Sequence, residues 1–153
     1  MKALRLESFL PYRLSVLANQ VSTQLAAVYA ERFDLTIPEW RVMAVLGEVS
    51  DVSADFVCDK TRMDRVTISR AVARLLDKRY ILRRFRAEDR RRSSLTLSAG
   101  GRRVYQQIVP LARRYEDALS AGLSLEDRAN LDHLLSLLQT RAGALGEETG
   151  WAG

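Results

Sequence analysis

Between Tyr80 and Leu97 the apolar residues stop recurring at helical spacing and begin to alternate. Tyr80-Ile81-Leu82 and Ser94-Leu95-Thr96-Leu97 read as two strands around a polar, arginine-rich tip, since alternation places successive side chains on opposite faces of a strand. Helical periodicity brackets this hairpin on both sides. Leu6, Leu10, Leu14, Leu17, Val21, Leu25 and Val28 follow at intervals of three and four, the near-heptad stripe of a long amphipathic helix. Ser8 is placed to cap it, and Pro11 falls in its first turn, where a missing N–H costs little. Thr36 or Ile37 precedes Pro38, which suits the first helical position and starts a helix to about Glu48 with Trp40, Met43, Ala44 and Leu46 as core. Ser53 caps a short helix, Ala54 to about Lys60, with Val57 and Cys58 facing in. Asp64 opens the next, Arg65 to about Arg79, on a buried stripe of Ile68, Val72, Leu75 and Leu76.

Beyond the hairpin, Ser98 caps a helix through Val104, Ile108, Leu111, Tyr115 and Leu119, with a bend expected at Pro110. Ser124 to Asp127 approximates a capping box and opens a last helix with Leu131, Leu134, Leu135 and Leu138 inward. The order short helix, turn, basic helix, hairpin is that of a winged helix-turn-helix. The expected fold is therefore mainly α with a small two-stranded β-wing. A winged helix-turn-helix lobe over residues 36–97 is inserted in a helical dimerisation platform formed by 6–35 and 98–142, and the glycine-rich stretch 143–153 is a flexible tail.

Charge is distributed unevenly. Residues 60–92 hold thirteen Lys and Arg against four acids, a net +9, whereas the other 120 residues carry 11 cations and 15 acids. A basic segment on a mildly acidic body is the footprint of a polyanion binder. The chain has a single Cys and a single His, which excludes an internal disulfide framework, a Cys-rich zinc site and a His cluster, so neither metal nor cofactor is expected. The longest uncharged stretch, Leu14 to Ala30, contains Asn19, Gln20, Ser22, Thr23 and Gln24 and is no membrane span. No signal-peptide pattern precedes it. A soluble, cytoplasmic protein is expected.

A helix fits the major groove of duplex DNA and offers its N-terminal side chains to base edges, while its opposite stripe must be apolar to hold it on the domain. The helix from Arg65 satisfies both demands. Thr67 and Ser69 supply hydroxyls, and Arg70 and Arg74 reach phosphate or guanine. Arg65 and Val66 share the exposed side. At the hairpin, Arg83, Arg84, Arg86, Arg90, Arg91 and Arg92 surround Glu88 and Asp89. Guanidinium suits a narrow minor groove and bidentate phosphate contact.

These residues carry a resemblance. The stretches TRMDRVTISRAVARLLDKRYILRR and AEDRRRSSLTLSAGGRR, with LPYRLSVLANQVS and LTIPEWRVMAVLGE before them, resemble the MarR family of winged-helix bacterial regulators over about residues 8–140. The most specific element is the wing pattern of Asp89, Arg91, Leu95, Leu97 and Ser98. The resemblance implies a homodimeric repressor of palindromic operators, released by small aromatic or phenolic ligands. It also implies an effector crevice lined by Tyr12, Leu17, Trp40, Met43, Tyr105 and Ile108. The chain departs from the family pattern in having Tyr80 where a Gly commonly ends the recognition helix, Arg86 where Asp is frequent, and Ser98 where Thr is common.

The expected function is a homodimeric, sequence-specific regulator of double-stranded DNA, a repressor responsive to an aromatic effector. The DNA-reading set is Arg65, Val66, Thr67, Ser69, Arg70 and Arg74, with Arg86, Asp89, Arg90 and Arg91 from the wing. Two alternatives compete. One is a redox-responsive repressor using Cys58, whose thiol pKa Lys60 and Arg62 would lower were it exposed. The other is a nucleic-acid-processing enzyme, for which no triad, phosphate loop or paired-carboxylate arrangement stands out. His133 fits a dimer seam or surface edge.

Overall fold

The structure is a computed structural model and describes residues 3–86 and 89–147, without the side chains of Arg86, Asp89 to Arg92 and Glu147. After a 3-10 turn, Leu6–Ser8, the helices and strands run α1 (Leu10–Phe33), α2 (Ile37–Glu48), α3 (Ala54–Thr61), α4 (Arg65–Asp77), β1 (Ile81–Arg86), β2 (Asp89–Leu97), α5 (Ala99–Leu119) and α6 (Leu125–Glu147). The fold is mostly helical with a two-stranded antiparallel sheet. Two compact units divide within α5, between Arg113 and Arg114.

Helix boundaries follow from caps. Thr36 accepts the Glu39 N–H while the Glu39 carboxylate accepts the Thr36 N–H, a reciprocal box that starts α2. Ser53 and Asp64 accept the N–H groups of Phe56 and Thr67 and start α3 and α4. The Ser98 hydroxyl accepts the Gly101 N–H, and Ser124 and Asp127 form a second reciprocal box at α6. Ser8 does not cap α1: the N-cap is Phe9, and the Ser8 hydroxyl donates to the Arg5 carbonyl inside the preceding turn. Pro11 occupies the first turn as expected.

The core lies in the first unit. Ile68, Ala71, Val72 and Leu75 of α4 meet Val42, Met43 and Leu46 of α2, Val57 of α3, and Ile81, Leu95 and Leu97 of the sheet. Each large aliphatic residue fully removed from water contributes roughly 1.5–3 kcal/mol. Tyr29 and Trp40 rings lie 5.5 Å apart, and Tyr105 stacks on Trp40 at 5.9 Å. Gly47 makes room for that ring, because a Cβ there would come within 2.3 Å of Tyr105.

The strands are longer than their apolar residues suggest. β1 extends through Arg83, Arg84 and Phe85, and β2 begins at Asp89, so Arg83, Arg84 and Arg86 lie in the ladder rather than at a loop tip. An antiparallel pair needs only one buried face, and side-chain polarity on the other does not end the backbone pairing. Ile81 pairs with Leu97 and Phe85 with Ser93, and the register shifts before Arg86. A further bridge joins Val52, between α2 and α3, to Leu95. Ser94 donates to the Asp51 carboxylate at 2.5 Å beside it. These bonds fasten the base of the wing to the loop before α3.

Three other expectations are corrected. α4 ends at Asp77, two residues early, because the chain then enters a left-handed turn at Arg79, φ 58°. The leucines expected inward on α6 are exposed, Leu134 at 54%, since helical spacing marks an apolar face without saying what covers it. α6 also continues past Gly143 and Gly146 to Glu147, as glycine weakens a helix by only about 1 kcal/mol and does not forbid it.

Candidate nucleic-acid interface

α4 is presented by what precedes it. α3 closes at Thr61, whose hydroxyl donates to the Val57 carbonyl at 2.7 Å, and Arg62 turns the chain in a left-handed conformation. Asp64 then receives both the Thr67 N–H, at 2.8 Å, and the Thr67 hydroxyl, at 2.6 Å. The hydroxyl bond first, and the backbone bond second, hold the Asp64 carboxyl below the usual aspartate value. A carboxylate at a helix N-terminus also faces the positive end of the helix dipole.

Beyond the cap, α4 divides by face. Ile68, Ala71, Val72 and Leu75 are buried, while Arg65, Val66, Ser69, Arg70, Ala73 and Arg74 are exposed and Thr67 is half-buried. Val66, Ser69, Arg70, Ala73 and Arg74 recur at three- and four-residue spacing, which aligns them along one side. The structure therefore gathers the six candidate residues of this helix on or beside one exposed face. Arg65 pairs with Asp55 of α3 at 3.3 Å. The Thr67 hydroxyl hydrogen is committed to Asp64, which leaves that oxygen as an acceptor. Thr36 and Pro38 of α2 and Thr67, Arg70, Ala71 and Arg74 of α4 line a groove of about 330 Å³.

The end of α4 is fixed as firmly as its start. The N–H of Tyr80 donates to the Leu75 carbonyl and that of Arg79 to the Leu76 carbonyl, both at 2.9 Å, the paired bonds of a Schellman turn. The left-handed residue is thus Arg79, one position before Tyr80. The Arg79 carbonyl accepts the Ser98 hydroxyl and the Tyr80 carbonyl accepts the Ser98 N–H, so the cap of α5 also locks the exit from α4. Gly101 permits that approach: a Cβ there would lie 1.8 Å from the Tyr80 carbonyl oxygen.

In the wing, Arg83 and Arg84 are exposed on β1. The side chains of Arg86, Asp89, Arg90 and Arg91 lie outside the described residues. The six crevice candidates differ in exposure. Tyr12 and Leu17 are exposed on α1, whereas Met43 and Ile108 have no exposed surface, Trp40 is buried, and Tyr105 is half-buried against it. Cys58 is partly buried, and burial first, then Asp55, pushes its thiol upward, with Asp59 and Asp64 adding to Asp55 against Arg65. The Lys60 and Arg62 effect expected from sequence is not what surrounds it, and a thiol held protonated is a poor nucleophile. His133 is exposed on α6. Among the described residues no group of three or more His, Cys, Asp or Glu is placed to hold a metal, and no helix is long and apolar enough to cross a membrane.

Two residues that matter here escaped sequence reasoning. Glu39 is fully buried, and Lys78, at the end of α4, reaches it at 3.3 Å. The spacing Thr36-x-x-Glu39 was a legible capping box, but nothing in the sequence pairs Glu39 with a cation 39 positions away.

This arrangement matches known proteins. Residues 33–92 fit the sequence model of the MarR family. The chain is 23% identical over 122 residues, 80% of its own length and 85% of the relative's, to YwoH of Bacillus subtilis (strain 168), an uncharacterized HTH-type transcriptional regulator. A MarR/EmrR family transcriptional regulator from Acinetobacter sp. ADP1 superposes with a TM-score of 0.86 at 25% identity, covering 92% of this chain and 99% of that one. BpsR of Bordetella bronchiseptica, described by the regulation of its DNA binding by 6-hydroxynicotinic acid, shares the fold at a TM-score of 0.70 and 22% identity, over 83% and 98% of the two chains. Family and relatives are transcriptional regulators and not enzymes. The helix-turn-helix, the wing bridged to its base and the segment matched over residues 33–92 are together those of MarR-family winged-helix transcriptional regulators, which this chain resembles in sequence and fold.

Proposed function

We propose that this regulator is a homodimeric, sequence-specific repressor that binds double-stranded DNA in the cytoplasm and is released by a small aromatic acid or phenol. The observation that carries the reading is the division of α4 into a buried apolar stripe and an exposed face bearing Arg65, Arg70 and Arg74 with Ser69. Such a helix is held by one side and offers the other to a polyanion. In this reading Ser69, Arg70 and the acceptor oxygen of Thr67 meet base edges, Val66 meets apolar base surface, and Arg65 and Arg74 meet phosphates. From the wing, Arg86 and Arg90 track the backbone, and Arg91 enters the minor groove with Asp89 as its orienting partner.

The lobe over 36–97 is the DNA reader, and 6–35 with 98–142 form the dimerisation region. Every residue from Ala3 to Gln20 is exposed, including Leu10, Leu14 and Leu17, and α6 exposes Leu131, Leu134, Leu135, Leu137 and Leu138. Apolar surface of this extent marks an interface. The effector class is supported by the ligand that regulates BpsR, a heteroaromatic acid, and its site would lie near Tyr12 and Trp40.

Footprinting tests the reading. The full chain should protect a pseudo-palindrome with half-sites about one helical turn apart, with log affinity falling by about 0.9 per neutralised phosphate per log unit of salt. Equal affinity for single strands would overturn it. By linkage, an aromatic effector that weakens DNA binding must itself bind less tightly to the DNA complex, which calorimetry reads directly.

A further inference from the structure

Lys78 follows the last turn of α4, and its side chain is 24% exposed. Its ammonium donates to the carbonyl of Asp34, just past the end of α1, and pairs with the Asp34 carboxylate at 3.2 Å. It also reaches both oxygens of Glu39, at 3.3 and 3.4 Å. Glu39 has no exposed surface, and the oxygen nearer Lys78 accepts the Thr36 N–H at 2.7 Å. One ammonium therefore joins the C-terminal end of α1, the N-terminal turn of α2 and the C-terminal end of α4.

Capping does not require this. The Ser124–Asp127 box at α6 performs the same task with its residues exposed. Taking a carboxylate wholly out of water is costly, and a buried ion pair returns little net stability. What the pair adds is direction. Apart from the exposed Arg65–Asp55 pair at its start and the Ser98 bonds just beyond its end, α4 is attached through apolar Ile68, Ala71, Val72 and Leu75, and hydrophobic contact is non-directional. A base-reading hydrogen bond tolerates only a few tenths of an ångström in length.

We propose that the Lys78–Glu39 pair positions the recognition helix: it sets the seat of α4 against the ends of α1 and α2 and thereby the sequence selectivity of DNA binding, with neither residue touching DNA. The inference rests on the DNA-binding reading above. Lys78 and Glu39 are positioning residues in this scheme.

The test uses two duplexes, one enriched from a random-sequence library by the wild-type chain and one scrambled to the same base composition. The double variant Glu39→Gln/Lys78→Met removes both charges, keeps an amide oxygen for the Thr36 N–H, and leaves the net charge unchanged. Its affinity for the enriched duplex should fall about tenfold or more, the size of one lost bidentate base contact. Affinity for the scrambled duplex and the salt slope should stay at wild-type values. Lys78→Arg, which keeps the pair, should retain selectivity. Wild-type affinity of the double variant for the enriched duplex would overturn the proposal, and so would an equal loss on both duplexes, the mark of a merely structural role. Should that variant fail to fold by thermal melting, Glu39→Gln/Lys78→Gln is read by the same ratio and the same two criteria. If the wild-type chain enriches no duplex at all, the DNA-binding reading itself falls and takes this inference with it, a result obtained before any variant is made.

Discussion

Asp64 illustrates how one side chain sets both structure and pH response. Its carboxyl accepts two bonds from Thr67 and titrates below the usual aspartate value. A carboxyl whose folded pKa is depressed contributes stability that is present above its unfolded pKa and lost as pH falls through the folded one. Thermal melts of the wild type should therefore weaken below about pH 4. Asp64→Ala should melt lower at neutral pH and show a shallower acid slope; an unchanged slope would remove Asp64 from that role. Gly101 makes a steric prediction. Its nearest neighbour is backbone, the Tyr80 carbonyl, at 1.8 Å from a would-be Cβ, and backbone cannot rotate aside. Gly101→Ala should cost about 1–3 kcal/mol or more by denaturant titration. Gly47→Ala should cost less, since the Tyr105 ring it meets is a side chain.

At the scale of elements, α4 and the wing divide the work of binding. Arg70→Ala should lose roughly 1–3 kcal/mol of operator affinity if it makes a bidentate base contact. Ser69→Ala should change the preferred half-site with the fold untouched. Thr67→Ala should do so together with a lower melting temperature, because its hydroxyl also serves Asp64. Parent-like binding of every sequence by all three would show that α4 reads no bases. In the wing, Arg91→Ala should weaken binding most at A·T-rich flanks, where the minor groove is narrow. Asp89→Ala should weaken specific binding too, although it makes the protein more basic, because an oriented guanidinium loses less entropy on docking. A gel-shift series at moderate salt in which Asp89→Ala binds the operator more tightly would reject the orienting role.

The whole chain exposes more large apolar side chains than a small monomer ordinarily carries. Leu17 on α1 is 53% exposed and Leu134 on α6 is 54% exposed, and neither belongs to the core of the first unit. Sedimentation equilibrium at micromolar concentration should give twice the 17.3 kDa chain mass. Leu17→Glu and Leu134→Glu should each shift the protein toward monomer while sparing that core. A folded wild-type monomer under those conditions would contradict the dimer and leave these leucines without a covering surface.

Much was legible from local pattern alone. Thr36, Ser53, Asp64, Ser98 and Ser124 announce their helices because a cap requires only a short polar side chain at one position and an N–H two or three residues on. The apolar stripe of α4 and the basic face opposite it follow from a period of 3.6. What the tertiary structure decided lies where distant segments meet. The strands outran their apolar residues because pairing is satisfied by the partner backbone, not by side-chain polarity. The end of α4 moved because Arg79 takes a left-handed turn held by Ser98, nineteen positions later in the chain. Glu39 became a buried anion because Lys78 was brought to it across 39 residues. Caps and faces depend on neighbours within a turn or two, so sequence determines them; strand length, helix exit and the Lys78 joint depend on which remote groups share a few ångströms, and only folding settles that.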